Sequence, residues 1–130
     1  MPDLAENEAV ICADTVVILN GKILGKPFDY EDARQMLSKL SGQKHTVITG
    51  VFIGSKIHSN SFSERTEVEF EQLSQEEITF YIEKYLPFDK AGSYGVQEWI
   101  GYVAVKRMEG TYTNVMGLPT NRLYHELKQF

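Results

Sequence analysis

Apolar and polar residues change their rhythm several times along this chain, and each change marks an element. Residues 9–19, AVICADTVVIL, are an apolar run broken only by Asp14 and Thr15. Asn20-Gly21 separates that run from a short apolar segment, KIL. Asn-Gly between apolar stretches is the strongest short-range hairpin signal, because both residues tolerate positive φ. A strand, a tight turn and a short returning strand are predicted. In DYEDARQMLSKLSG, residues 29–42, the positions Ala33, Met36, Leu37 and Leu40 recur at helical spacing. Asp29 is placed to cap that helix and Gly42 to stop it. HTVITGVFIGSKIHS and NSFSERTEVEFEQL then read as a second hairpin; within TEVEFEQL, Val68 and Phe70 alternate with Glu67, Glu69 and Glu71, the period of a half-buried strand.

SQEEITFYIEKY opens with Ser74 and, three residues on, Glu77, the signature of a capping box. Ile78, Tyr81, Ile82 and Tyr85 form the stripe that this helix should bury. WIGYVAVKRM is predicted as a strand, and GTYTNVMGLP as a turn-rich return with a short strand at most. LPTNRLYHELKQF closes the chain as a helix with Pro119 in its first turn and Leu123, Leu127 and Phe130 facing inward. Strands and helices mixed in this way give an α/β fold, and residues 1–130, with no repeat or linker, read as one domain.

Composition narrows the class. Of 130 residues 42% are hydrophobic and 24% charged, which is globular. Thirteen Lys and Arg against eighteen Asp and Glu give a net charge of -5, which argues against binding polymeric nucleic acid but leaves room for a small phosphorylated ligand met by a few local cations. The lone cysteine, Cys12, excludes an internal disulfide and is expected to be a small buried hydrophobe. His45, His58 and His125 lack metal-ligand spacing, and His45 is expected to bond locally. No run approaches the ~20 apolar residues of a membrane span. The acidic start MPDLAENEA is no signal peptide, so the expected location is the cytoplasm.

Three stretches carry candidate chemistry. An ionised carboxylate is costly to bury unpaired, so Asp14 in its apolar run reads either as a strand-end residue pairing locally or as a general base or Mg²⁺/Mn²⁺ ligand at the mouth of a sheet. Lys26, held extended by Pro27, is either a solvated lysine or a cation folded back toward Asp14. DKAGSYGVQ, residues 89–97, suits neither strand nor helix. Its glycines allow close backbone approach, Lys90 could meet a phosphate, and Gln97 could read a base edge. The plainer reading is a helix-to-strand connection.

Taken in order, ADTVV (13–17), NGKILGKP (20–27), LSGQKHTVITG (40–50), DKAGSYGVQ (89–97) and GTYTNVMGLP (110–119) resemble the Maf family of nucleoside triphosphate pyrophosphatases. The resemblance implies an α/β fold like that of the inosine triphosphate pyrophosphatases, a mixed sheet flanked by helices around a cleft. It implies hydrolysis between the α and β phosphates with Mg²⁺ or Mn²⁺. The family's proton acceptor falls on Asp14, which would also meet the metal. Thr15 and Gln97 fall on positions that set base choice and match the branch acting on dTTP and UTP. Lys26 and Lys90 match lysines on the phosphate side of the cleft.

The family's Ser-Pro-Arg-Arg phosphate loop has no counterpart, since Arg34, Arg65, Arg107 and Arg122 stand singly. The resemblance therefore implies an N-terminally truncated member, with the strand Val10 to Leu19 short of a neighbour. It implies a dTTP/UTP pyrophosphatase able to form a homodimer. The alternative is an impaired nucleotide-binding or self-associating remnant.

Overall fold

The computed structural model describes residues 4–130; the first three residues of the acidic N-terminal segment lie outside them. Five strands form one sheet in the order β2-β1-β3-β4-β5. They are β1 (Ala9–Leu19), β2 (Lys22–Leu24), β3 (Lys44–Ser55), β4 (Ser59–Phe70) and β5 (Val105–Glu109). The expected mixed sheet is antiparallel in every pairing among the described residues. Asn20 and Gly21 both take positive φ, 51° and 79°, closing the β1–β2 hairpin with Leu19 opposite Lys22. β2 covers only the end of β1. From Ala9 to Val16 the outer edge of β1 has no neighbouring strand among the described residues.

Alternation along β3 decides which face is covered. His45, Val47, Thr49, Val51 and Ile53 are buried, while Gly50 and Phe52 are exposed. Helices α1 (Tyr30–Leu40) and α2 (Gln75–Tyr85) pack Ala33, Leu37, Leu40, Ile78, Tyr81 and Ile82 onto Val17, Val47, Val68 and Phe70 of that face. Both caps are formed as the sequence predicts: Asp29 accepts from the Asp32 amide, and Ser74 and Glu77 make a reciprocal capping box. Further along the same face, Leu123 of α5 (Thr120–Gln129) joins Val51 and Ile53. Pro119 stands at the N-cap of α5, one residue before its first turn.

Several expectations are corrected. Residues 99–104 form a helix, α3, before the chain becomes β5. Ile100 and Ala104, four apart, are buried while Tyr102 is 82% exposed, so a helical period lay inside what looked like a continuous apolar run. Tyr112–Met116 is also helical, α4, started by the Thr111 hydroxyl accepting from the Asn114 amide and ended by Gly117 at φ 116°. Cys12 is exposed because it shares the phase of β1 that pairs with exposed Phe52 and Gly50, on the face turned away from the helices. Leu127 is exposed too: Leu123 is the buried apolar residue of α5, and Phe130 just past its end is partly buried against the same cluster. His45 bonds at long range, to Tyr94.

Candidate active site

The five residues singled out from the sequence line one cleft. Asp14 and Thr15 come from β1, Lys26 from the loop after β2, and Lys90 and Gln97 from the loop after α2. The cleft has a volume of about 220 Å³, and Val115, Met116 and Gly117 of α4 and its cap form the opposing wall.

Each contributor is held from behind. The Gly92 amide donates to the Gly25 carbonyl at 3.1 Å, tying the two lysine-bearing loops together. Gly92 has φ 69°, and a Cβ on it would sit 3.0 Å from Val17 Cγ2, so glycine alone suits this crossing of β1. Gly95 serves Lys90: a Cβ there would lie 2.7 Å from Lys90 Cε, in the space taken by the lysine stem. Tyr81, buried in α2, accepts from the Gly95 amide at 3.0 Å and donates to Glu98 Oε1 at 2.5 Å. Gln97 lies between those two anchors and is itself exposed. Tyr94, whose ring forms part of the cleft, bonds His45 Nε2 at 2.5 Å and stacks edge-on with Phe70.

Burial holds the His45 ring near pKa 4, offset only partly by the Glu67 carboxylate. Nδ1 is buried with no hydrogen-bond partner, so imidazolium, which needs an acceptor at both nitrogens, is doubly disfavoured. His45 is thus a neutral strut under Tyr94. Burial likewise pushes the Tyr94 phenol well above its ordinary value, and burial with the bond to Glu98 does so for Tyr81. Neither phenol ionises at physiological pH.

Asp14 reaches the site differently from its neighbour. Strand alternation turns Thr15 toward the helix-covered face and Asp14 away from it, opposite Gly50. Asp14 is exposed, so its apolar setting in sequence does not become a buried charge. It sits at the rim, bordering both the cleft and a shallower concavity with Gly50 and Phe52. Lys26 is exposed and makes no ion pair with a described residue. Lys90 Nζ lies 3.4 Å from Asp89 Oδ1, a solvated pair that an anion could displace.

Thr15 Oγ1 is 2.9 Å from Thr49 Oγ1, and the Thr49 hydroxyl donates to the Asn114 carbonyl at 3.1 Å. Asn114, fully buried, donates its side-chain amide to Thr66 Oγ1 at 2.9 Å and to the Val47 carbonyl at 3.4 Å. These bonds fix α4, and so one cleft wall, against β3 and β4. Sequence reasoning missed Thr49, Asn114, His45, Tyr81 and Tyr94. The available signals were polar residues at core positions: His45 and Thr49 on the buried phase of β3, and Asn114 inside TYTNVMG.

The cleft holds two ammonium groups, two carboxylates (Asp14 and Asp89) and an amide. That set suits a phosphorylated ligand with a hard cation. Mg²⁺ is ordinarily held by one or two protein carboxylates plus phosphate oxygens rather than by a cage of protein ligands. Among the described residues no group of three or more His, Cys, Asp or Glu could form such a cage.

The family model described as Maf-like protein matches residues 1–130. A protein named dTTP/UTP pyrophosphatase from Porphyromonas gingivalis is 54% identical over 127 residues, covering 98% of this chain and 64% of its own length. One of the same name from Phocaeicola vulgatus is 57% identical over 123 residues, covering 95% and 64%. Another from Bacteroides thetaiotaomicron is 53% identical over 122 residues, covering 94% and 63%. The chain thus spans just under two thirds of the length of these relatives. No helix of the described residues is long and apolar enough to cross a membrane.

Proposed function

The chain belongs to the Maf family, and on that premise we propose that it is a nucleoside triphosphate pyrophosphatase acting on dTTP and UTP in the cytoplasm. The observation that carries this reading is the convergence of Asp14, Thr15, Lys26, Lys90 and Gln97 on one cleft from three separate segments. The names of the relatives supply the substrate class. Residues 1–130 act as one domain in this reading.

The roles follow from chemistry. Lys26 and Lys90, on two loops tied by the Gly92–Gly25 bond, meet the phosphates as point charges. Asp14, at the open rim where solvent enters, accepts the proton of the attacking water as it adds to the α phosphorus. Gln97 presents a donor and an acceptor to a pyrimidine edge, and Thr15 lines the same cleft. Two lysines do not neutralise a triphosphate; Asp14, with Asp89 lining the same cleft, would supply carboxylate oxygens to Mg²⁺ or Mn²⁺. When bound, that ion supplies charge stabilisation at the phosphate oxygens. A homodimer belongs to the same reading, favoured by the open edge of β1 from Ala9 to Val16.

The test is steady-state pyrophosphate release from dTTP, UTP, dATP and GTP with Mg²⁺. Release from dTTP and UTP at least tenfold faster than from the purines is expected. Equal rates on all four, or none on any, would refute the reading.

A further inference from the structure

We propose that Thr49, a buried residue outside the cleft, sets the direction of the Thr15 hydroxyl and so determines which edge of a pyrimidine is accepted. This rests on the nucleotide reading above and adds a specificity-determining position to it.

Three oxygens stand in a row: Thr15 Oγ1, Thr49 Oγ1 and the Asn114 carbonyl, 2.9 and 3.1 Å apart in turn. The carbonyl has no proton to give, and each hydroxyl has one. Two gaps need two protons, and one arrangement supplies both: Thr49 donates to the carbonyl and Thr15 donates to Thr49. With Thr49 turned the other way, its bare oxygen would face the bare carbonyl at 3.1 Å, at a residue with 0% exposure. Burial makes that arrangement expensive. The acceptor end cannot swing aside, because the Asn114 side chain is held by Thr66 and Val47 and its carbonyl also accepts from the Gly117 amide at 3.0 Å.

With its proton committed inward, Thr15 offers the cleft only lone pairs. Gly117 leaves that side of the hydroxyl uncovered, since a Cβ there would pack against Thr15 Oγ1 at 3.6 Å. An acceptor at this point selects a ring N–H. Uracil and thymine carry one at N3, whereas cytosine carries a lone pair at the same atom. The two rings have nearly the same size, so shape alone separates them poorly, and hydroxyl polarity separates them well. The exposed Gln97 amide can rotate to suit either ring, so it cannot make this distinction alone.

The experiment measures binding of the α,β-methylene analogues of UTP, CTP and 3-methyl-UTP, whose α–β bridge cannot be hydrolysed and the last of which lacks the N3 proton, to wild type, Thr49→Val and Thr49→Ser by isothermal titration with Mg²⁺. Wild type is expected to bind UTP at least tenfold more tightly than CTP or 3-methyl-UTP. In Thr49→Val the Thr15 hydroxyl is released and can donate to cytosine N3, so the UTP:CTP ratio should fall by about tenfold. Thr49→Ser keeps the relay and should leave the ratio within about twofold of wild type. A purely structural loss would weaken both nucleotides together and leave the ratio alone. A Thr49→Val ratio equal to wild type, with UTP still bound, overturns the relay and spares the nucleotide reading. Should Thr49→Val not fold, equal binding of UTP and 3-methyl-UTP by wild type overturns it. No binding of any nucleotide by folded wild type overturns both.

Discussion

Acidification should unfold this protein partly through one ring. His45 is 1% exposed and its pKa falls from the ordinary 6.5 to about 4. The native state therefore resists a proton that the unfolded chain takes up readily. Between pH 6.5 and 4 the unfolded state binds more protons, so stability rises with pH in that window and is lost as pH falls through it. At about 1.36 kcal/mol per pH unit, the displacement corresponds to about 3 kcal/mol, a large share of a typical domain's stability. His45→Gln removes the titration while its side-chain amide can still reach the Tyr94 hydroxyl. Urea unfolding followed by circular dichroism at pH 7, 6, 5 and 4 gives the two curves. Wild type should lose about 3 kcal/mol more than the variant over that range. The carboxylates of Glu31 and Glu126, held below their ordinary range chiefly by hydrogen bonds to arginine, and of Glu67, where desolvation is outweighed by hydrogen bonds from Arg65 and Thr46, also cost stability at low pH. They are present in both proteins, so the difference reports His45 together with its coupling to Glu67. Parallel curves from pH 7 to 4 would refute the argument.

Other substitutions probe the supports of the cleft. Tyr81→Phe leaves the buried Gly95 amide without an acceptor and should cost about 1–3 kcal/mol in urea unfolding, with a raised KM for dTTP as the loop carrying Lys90 and Gln97 loosens. Gly92→Ala forces a Cβ into the left-handed region against Val17, and a loss of about 1–3 kcal/mol is expected in the same assay. Lys26→Ala, at an exposed position, should leave the melting temperature within a few degrees of wild type and raise KM for dTTP about tenfold, the loss of one charge-assisted phosphate contact.

The elements with strong local rules were legible in the sequence. Asn20-Gly21 named its hairpin, Asp29 and Ser74 named their helices, and the Val68/Phe70 alternation named the buried face of β4. Residues 99–104 were not legible, because a six-residue apolar run fits either period until packing selects Ile100 and Ala104. α4 was hidden for the same reason, its five residues being too few to show a period. The five cleft residues were found, but what holds them was not. Tyr81 read as one more apolar stripe position, and its hydroxyl matters only once α2 lies beneath Gly95. Thr49 and Asn114 meet across 65 residues of chain, a contact that no local pattern announces. Asp14 was singled out on the premise that its charge would be buried, yet it is exposed at the rim, so its part in the cleft rests on position rather than desolvation.

The most direct test of the central claim is phosphorus NMR of dTTP incubated with Mg²⁺ and either the wild-type chain or Asp14→Asn. The near-isosteric amide leaves the exposed site's shape and the fold unchanged, as matching circular dichroism would verify, but it is a poor base and a weak metal ligand. The expected result is dTMP and pyrophosphate from wild type, with at least a hundredfold slower conversion by Asp14→Asn. Products of dTDP and orthophosphate, or equal rates from the two proteins, would contradict the account.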